Sequence, residues 1–94
     1  MMEVGILQFT VLLRGSRSLK DKRQVLKSIK DKLRAKFNVA VAEVDDHDLW
    51  QKGTVGVVTC SNDPVHVRSL LDKILMLLRL HPTAELIDHQ VEVL

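Results

Sequence analysis

The chain opens on an apolar run. Residues 3–13, EVGILQFTVLL, are β-branched, aromatic and aliphatic, and too few for a buried helix with its caps. The pattern therefore predicts a strand. Leu7, Phe9, Val11 and Leu13 share one face, while Val4, Ile6 and Leu12 share the other with Gln8 and Thr10. Apolar residues on both faces place this strand in the middle of its sheet. A turn, RGSRS, leads to Ser18. With Asp21 it makes a capping-box variant, in which the hydroxyl takes a free helix N–H and the acid favours the positive helix end. The helix runs to about Lys36, with Leu19, Leu26, Ile29, Leu33 and Phe37 on one face and Val25 at its edge.

Residues Asn38–Val44 alternate weakly and predict a second strand; DDHD follows as a polar turn. LWQKGTVGVVTC predicts a third strand, with Val55 and Val57 on one face and Val58 and Cys60 near the other, joined to the second by a hairpin. SNDP is a helix start, with Pro64 in the first turn. Val67, Leu70, Leu71, Ile74, Leu75, Leu77 and Leu78 make this second helix strongly buried to about Leu80, and His81-Pro82 ends it. ELIDHQVEVL closes the chain as a strand that sets Leu86, Asp88, Gln90 and Glu92 against Ile87, His89, Val91 and Val93.

The predicted order is β-α-β-β-α-β. Two split βαβ units of this kind give an α+β, ferredoxin-like sandwich: a four-stranded antiparallel sheet with both helices on one face. At 94 residues the chain is read as a single domain, 1–94. An apolar content of 46% suffices for a core. No apolar run reaches the length of a membrane span, and the first residues lack the layout of a signal peptide. Cys60 is alone, which rules out an internal disulfide. A reducing cytoplasm is the expected compartment.

The formal charge of +2 says little, but its distribution says more. Arg14 to Lys36 holds ten basic residues against two acids, a balance of +8; the rest holds four against ten, −6. Within the first helix Lys20, Arg23, Lys27, Lys30 and Arg34 are spaced 3, 4, 3, 4. At about 100° per residue this keeps all five on one flank, beside the apolar face. Arg14 and Arg17 extend the row past the helix N-terminus. Such a row suits a phosphate backbone; it also suits a solvated face that keeps the chain soluble. RNA-recognition domains with this element order stack bases on aromatics of the central strands. Here the third strand has no aromatic and the chain has no Tyr. Any nucleic-acid contact is therefore expected on the helix, not the sheet.

Other constellations carry less. Glu43, Asp45, Asp46, His47 and Asp48 are rich in oxygen, but neighbours on a strand point to opposite faces and a calcium loop's glycine is missing. The expectation is a hairpin turn, with no metal and no cofactor. Arg14–Ser18 joins a strand to a helix N-terminus, where backbone N–H groups can cradle an anion. Acylphosphatases use that loop, but their longer glycine-and-arginine signature is absent and no residue stands out to position water. The four histidines share no ligand spacing. His81 is read as favouring the negative end of the second helix, Cys60 as a small core residue, and Trp50 as covering an edge of the core, with a partner hot spot as its other reading. The strands offer apolar residues on both faces although the helices cover only one. A homodimer through the uncovered face or an edge strand is the expected consequence.

Arg17–Arg23, RSLKDKR, and Ala42–Gln51, AEVDDHDLWQ, resemble segments of the bacterial YlxP-like family of small proteins of unknown function, and FNVAVAE (37–43) is similar to that family's FNVSVAE. The resemblance runs over essentially the whole chain. It implies a ferredoxin-like fold, an association with translation and no established catalytic residues. Where that family carries Gly-Asp-Gln-Asp, this chain has Asp45-Asp46-His47-Asp48, so that only Asp46 and Asp48 match.

The functional expectation is a non-enzymatic accessory factor of translation or the ribosome. Arg14, Arg17, Lys20, Arg23, Lys27, Lys30 and Arg34 would contact phosphates of RNA or of a ribosomal subunit. The alternative is a homo-oligomeric protein-interaction module whose basic helix meets an acidic protein. A weaker one is hydrolysis of a phosphate anion at the loop after the first strand.

Overall fold

The computed structural model describes residues 1–94. Its elements follow in the predicted order: β1 (Glu3–Leu12), α1 (Leu19–Lys36), β2 (Ala40–Asp45), β3 (Lys52–Ser61), α2 (Pro64–Arg79) and β4 (Glu85–Val93). One antiparallel sheet has strand order β2-β3-β1-β4. β1 therefore runs parallel to β2 with β3 inserted between them, and β3 parallel to β4 with β1 between. This is the ferredoxin-like sandwich. α1 packs over β2 and β3, and α2 over β1 and β4. No helix is long and apolar enough to cross a membrane.

Local chemistry explains the boundaries. Ser18 Oγ accepts the Asp21 N–H at 3.0 Å, and the Asp21 carboxylate accepts the Arg17 N–H at 2.9 Å. The reciprocal bond of the capping box thus falls one residue earlier than usual. Asp63 caps α2 by accepting the Val65 N–H, with Pro64 just inside the helix. The core lies between sheet and helices. Leu7, Phe9 and Val11 of β1 and Val55 and Val57 of β3 meet Leu26, Ile29 and Leu33 of α1 and Val67, Leu71, Ile74 and Leu78 of α2. Close approach of α2 depends on Gly5, because a Cβ there would overlap Val67 and touch Leu71 at 3.1 Å.

Four expectations change. β3 begins at Lys52, so Leu49, Trp50 and Gln51 belong to the connection after β2. β4 carries a bulge: Val11 pairs with Leu86 but Thr10 with Asp88, leaving Ile87 as the extra residue. This shifts Leu86 onto the core face with His89, Val91 and Val93, while Ile87 is left exposed. Cys60 is exposed on the uncovered face rather than in the core, because Val57 has already set the opposite parity. Trp50, 56% exposed, covers no edge of the core.

His81 also departs from its expected role. Its Nδ1 accepts the N–H groups of Thr83 and Ala84, at 3.2 and 3.0 Å, which requires a neutral ring. Burial, then the nearby Lys32 charge, lowers its pKa below 6.5. It stabilises the turn after α2 as an acceptor, not as a cation at the helix end.

Candidate nucleic-acid interface

α1 sets the geometry. Its core side is fixed by Leu26, Ile29 and Leu33, and Ser28, Ile29 and Lys32 line a crevice against α2. The basic flank therefore turns the other way, over the open edge at β2. Lys20, Arg23 and Lys27 are exposed and Lys30 is half-buried. Arg34 binds the Val41 carbonyl of β2 at 2.8 Å, which ties the last turn of α1 to that edge. From Lys20 to Lys30 the row spans about 15 Å at 1.5 Å per residue.

Only one acid interrupts the flank. Asp31 accepts a hydrogen bond from Lys27 at 2.8 Å and lies 3.7 Å from Arg34. The Lys27 hydrogen bond holds the Asp31 carboxyl below the usual carboxylate range, with the charges of Lys27, Arg34 and Lys30 adding to it. Both partners of this pair are exposed, so it is weak and exchangeable with another anion. Arg14 is diverted to Glu85 at 3.2 Å. Lys20, Arg23 and Lys30 have no side-chain partner, and neither has the guanidinium of exposed Arg17.

The loop after β1 uses its own donors. Ser16 N–H goes to Leu13 O, Arg17 N–H to Asp21, and the Ser16 hydroxyl to Ser18 O. The Asp21 carboxylate thus stands where an anion would meet the Arg17 amide. A groove of about 490 Å³ nearby is lined by Arg14, Gly15, Arg79, His81 and Glu85 among others, a mixed set of charges.

The residue that sequence reasoning missed is Lys22, fully buried in α1. Its ammonium donates to Asp46 O at 2.7 Å and His47 O at 3.1 Å, with Lys52 O at 3.4 Å. It also lies 3.1 Å from the Glu43 carboxylate. Glu43 Oε2, buried, faces the ammonium as an ion pair and has no other polar partner. The signal was present. Position 22 lies three residues after Leu19 and four before Leu26, on the core face, and Glu43 shares its strand face with Val41. The carboxylates once grouped as a possible cation site are thereby dispersed. Glu43 serves Lys22, Asp46 accepts the Thr54 hydroxyl at 2.7 Å, and Asp45 accepts the Asp46 N–H. No group of three or more metal-ligating side chains forms.

Asp46 itself has φ 60°, the left-handed turn conformation that aspartate tolerates. Gln51 completes the arrangement, its side-chain amide donating to Arg14 O and Ser16 O, both at 3.1 Å. The segments RSLKDKR and AEVDDHDLWQ, about 20 residues apart in sequence, are thus one structural unit built around the Lys22 ammonium.

The comparisons agree with this architecture. A designed protein, "De novo designed protein Foldit4", superposes with a TM-score of 0.59 over 100% of this chain and 97% of its own, at 17% identity, a likeness of fold alone. "Uncharacterized protein YlxP" of Bacillus subtilis (strain 168) is 30% identical over 82 residues, 87% of this chain and 89% of that protein. The family described as "Protein of unknown function (DUF503)" matches residues 4–91. The chain belongs to this DUF503 family and is a YlxP-like protein.

Proposed function

We propose that this protein is a non-enzymatic accessory factor that binds RNA, alone or on a ribosomal surface, through the exposed flank of α1. The observation that carries the reading is the row Lys20, Arg23, Lys27 and Lys30, held on a rigid helix with Arg17 just before its cap and one exposed acid beside it. A row about 15 Å long matches roughly four base-pair steps of 3.4 Å. Arg34 is committed to Val41 and Arg14 to Glu85, so both are secondary contacts. The association with translation implied by the family resemblance fits an RNA partner.

Five phosphate contacts predict a log-log salt slope of about −4.5 on duplex and about −3.5 on single strands. Anisotropy titrations of labelled rRNA fragments across a salt series measure it. Glu substitution at Arg23, Lys27 and Lys30 together should abolish binding at physiological salt. Binding that ignores salt, or survives that triple substitution, overturns the reading. Binding to an acidic protein with no affinity for RNA replaces it.

A second reading, self-association, rests on the uncovered sheet face. Across β2, β3 and β1 this face carries Ala42, Val44, Val58, Val4, Ile6 and Gln8, and on β4 it is bordered by Asp88, Gln90 and Glu92. Val44 and Val58 are nearly half exposed. The apolar part of this face, with the β4 carboxylates at its rim, is compatible with a second copy of itself in an isologous contact. Sedimentation showing a monomer at tens of micromolar, roughly the weak end of ordinary interface affinities, removes this reading.

A further inference from the structure

The connection between β2 and β3 holds an apolar surface out of the core and fixes it there. Trp50, the only tryptophan, is 56% exposed and its neighbour Leu49 46%. With Leu12, Gln51 and Lys52 they form a shallow surface at one end of the sheet. A free loop would fold such a ring inward, since exposed aromatic area is unfavourable. This loop is not free. Lys22 holds the carbonyls of Asp46 and His47, Thr54 holds the Asp46 carboxylate, and Leu49 N–H closes onto Asp46 O. Gln51, next to Trp50, is held on both sides: its carbonyl accepts Leu13 N–H at 2.7 Å and its amide reaches Arg14 O and Ser16 O. An aromatic ordered in advance loses little entropy on binding.

The same bonds decide where this surface lies. Gln51 grips the carbonyls of Arg14 and Ser16, next to Arg17, while Lys22, on the core face of α1, holds the start of the same loop. The Arg17 end of the cation row is therefore joined to the loop that carries Trp50. A polyanion tracking the row from Lys30 toward Arg17 reaches the loop that carries the ring at the end of the sheet, where Lys52 lies 4.0 Å from Asp46 and Asp48 is exposed. Cations that follow a backbone, with an aromatic at their end, suit a strand with unpaired bases, because every base has a π-face to stack.

Resting on the phosphate-binding reading above, we propose that Trp50 stacks an unpaired base of the nucleic acid held by the α1 row. The ligand class is then a single-stranded segment or a junction with an unstacked base, not uniform duplex.

The chain has one tryptophan and no tyrosine, so its fluorescence reports on Trp50 alone. The full chain is titrated with a twelve-nucleotide oligouridine, with a duplex of equal charge, and with heparin, which is anionic but has no bases. The expected result is quenching by oligouridine, little by duplex, and none by heparin although heparin binds. By anisotropy, Trp50→Ala should weaken oligouridine binding about tenfold, with heparin affinity unchanged, and Trp50→Phe should retain most of it. Circular dichroism checks that both variants fold. Oligouridine binding without quenching, or unmoved by Trp50→Ala, overturns the stacking role and leaves the phosphate row standing. Equal loss for oligouridine and heparin makes Trp50 structural and also overturns it. Binding of neither ligand overturns the phosphate row and the stacking role together.

Discussion

Replacing Lys22 by methionine keeps the length of the side chain and removes its charge. Glu43 then stays in a largely buried site with no cation, and the carbonyls of Asp46 and His47 lose their donor. Removing one partner of a buried pair costs about 3–5 kcal/mol, mostly because the other charge is left uncompensated. Two charge-assisted hydrogen bonds at about 1.5–3 kcal/mol each give the same range. A domain of this size has roughly 5–14 kcal/mol in total, so Lys22→Met should remove from about a quarter to nearly all of it. Urea unfolding followed by circular dichroism checks this. With a slope near 2 kcal/mol per molar, the midpoint should fall by about 1.5–2.5 M. Adding Glu43→Leu to Lys22→Met should recover much of the loss, because an apolar pair can replace a buried ion pair. The coupling between the two sites should then exceed about 1 kcal/mol. A loss in Lys22→Met under about 1 kcal/mol, or strict additivity in the double variant, would refute the claim that this ammonium holds the hairpin to α1. Lys22→Arg should also destabilise, since a planar fork cannot take the place of a compact ammonium among those carbonyls.

Three further outcomes are expected. His81 has a lowered folded-state pKa, so the unfolded chain binds its proton first as pH falls. Its contribution should be full above about 6.5 and fall away as pH drops from there toward the folded value, and His81→Asn should flatten that part of a stability–pH profile. Gly5→Ala forces a methyl group into Val67, and thermal unfolding should show a loss of about 1–3 kcal/mol. Ser18→Ala removes the acceptor for the Asp21 N–H and should cost about 1 kcal/mol in the same assay, with no effect on the sheet.

The element order, both helix starts and the face of each helix were legible in the sequence. They depend on neighbours within one or two turns, and a period of 3.6 or 2 is a property of the chain alone. The cation row was legible for the same reason, since five residues at helical spacing share a flank whatever packs nearby. How free each cation is was not legible. Arg34 is held by a carbonyl that the crossing from α1 to β2 brings to it, and Arg14 by Glu85, 71 residues away.

Lys22 shows where the division falls. Its place on the core face could be read from Leu19 and Leu26, but a lysine there makes sense only when Glu43 and two turn carbonyls face it. The sheet register and the seat of α1 over β2 decide that. The bulge at Ile87 likewise changes which side chains of β4 are buried, because one unpaired residue reverses the parity of everything beyond it. The exposure of Trp50 follows from hydrogen bonds that join two distant segments. Local patterning determined the helix, the strands and the charge. Only the tertiary structure decided which charges are free and which aromatic stands beside them, because those are contacts between residues that sequence distance does not relate.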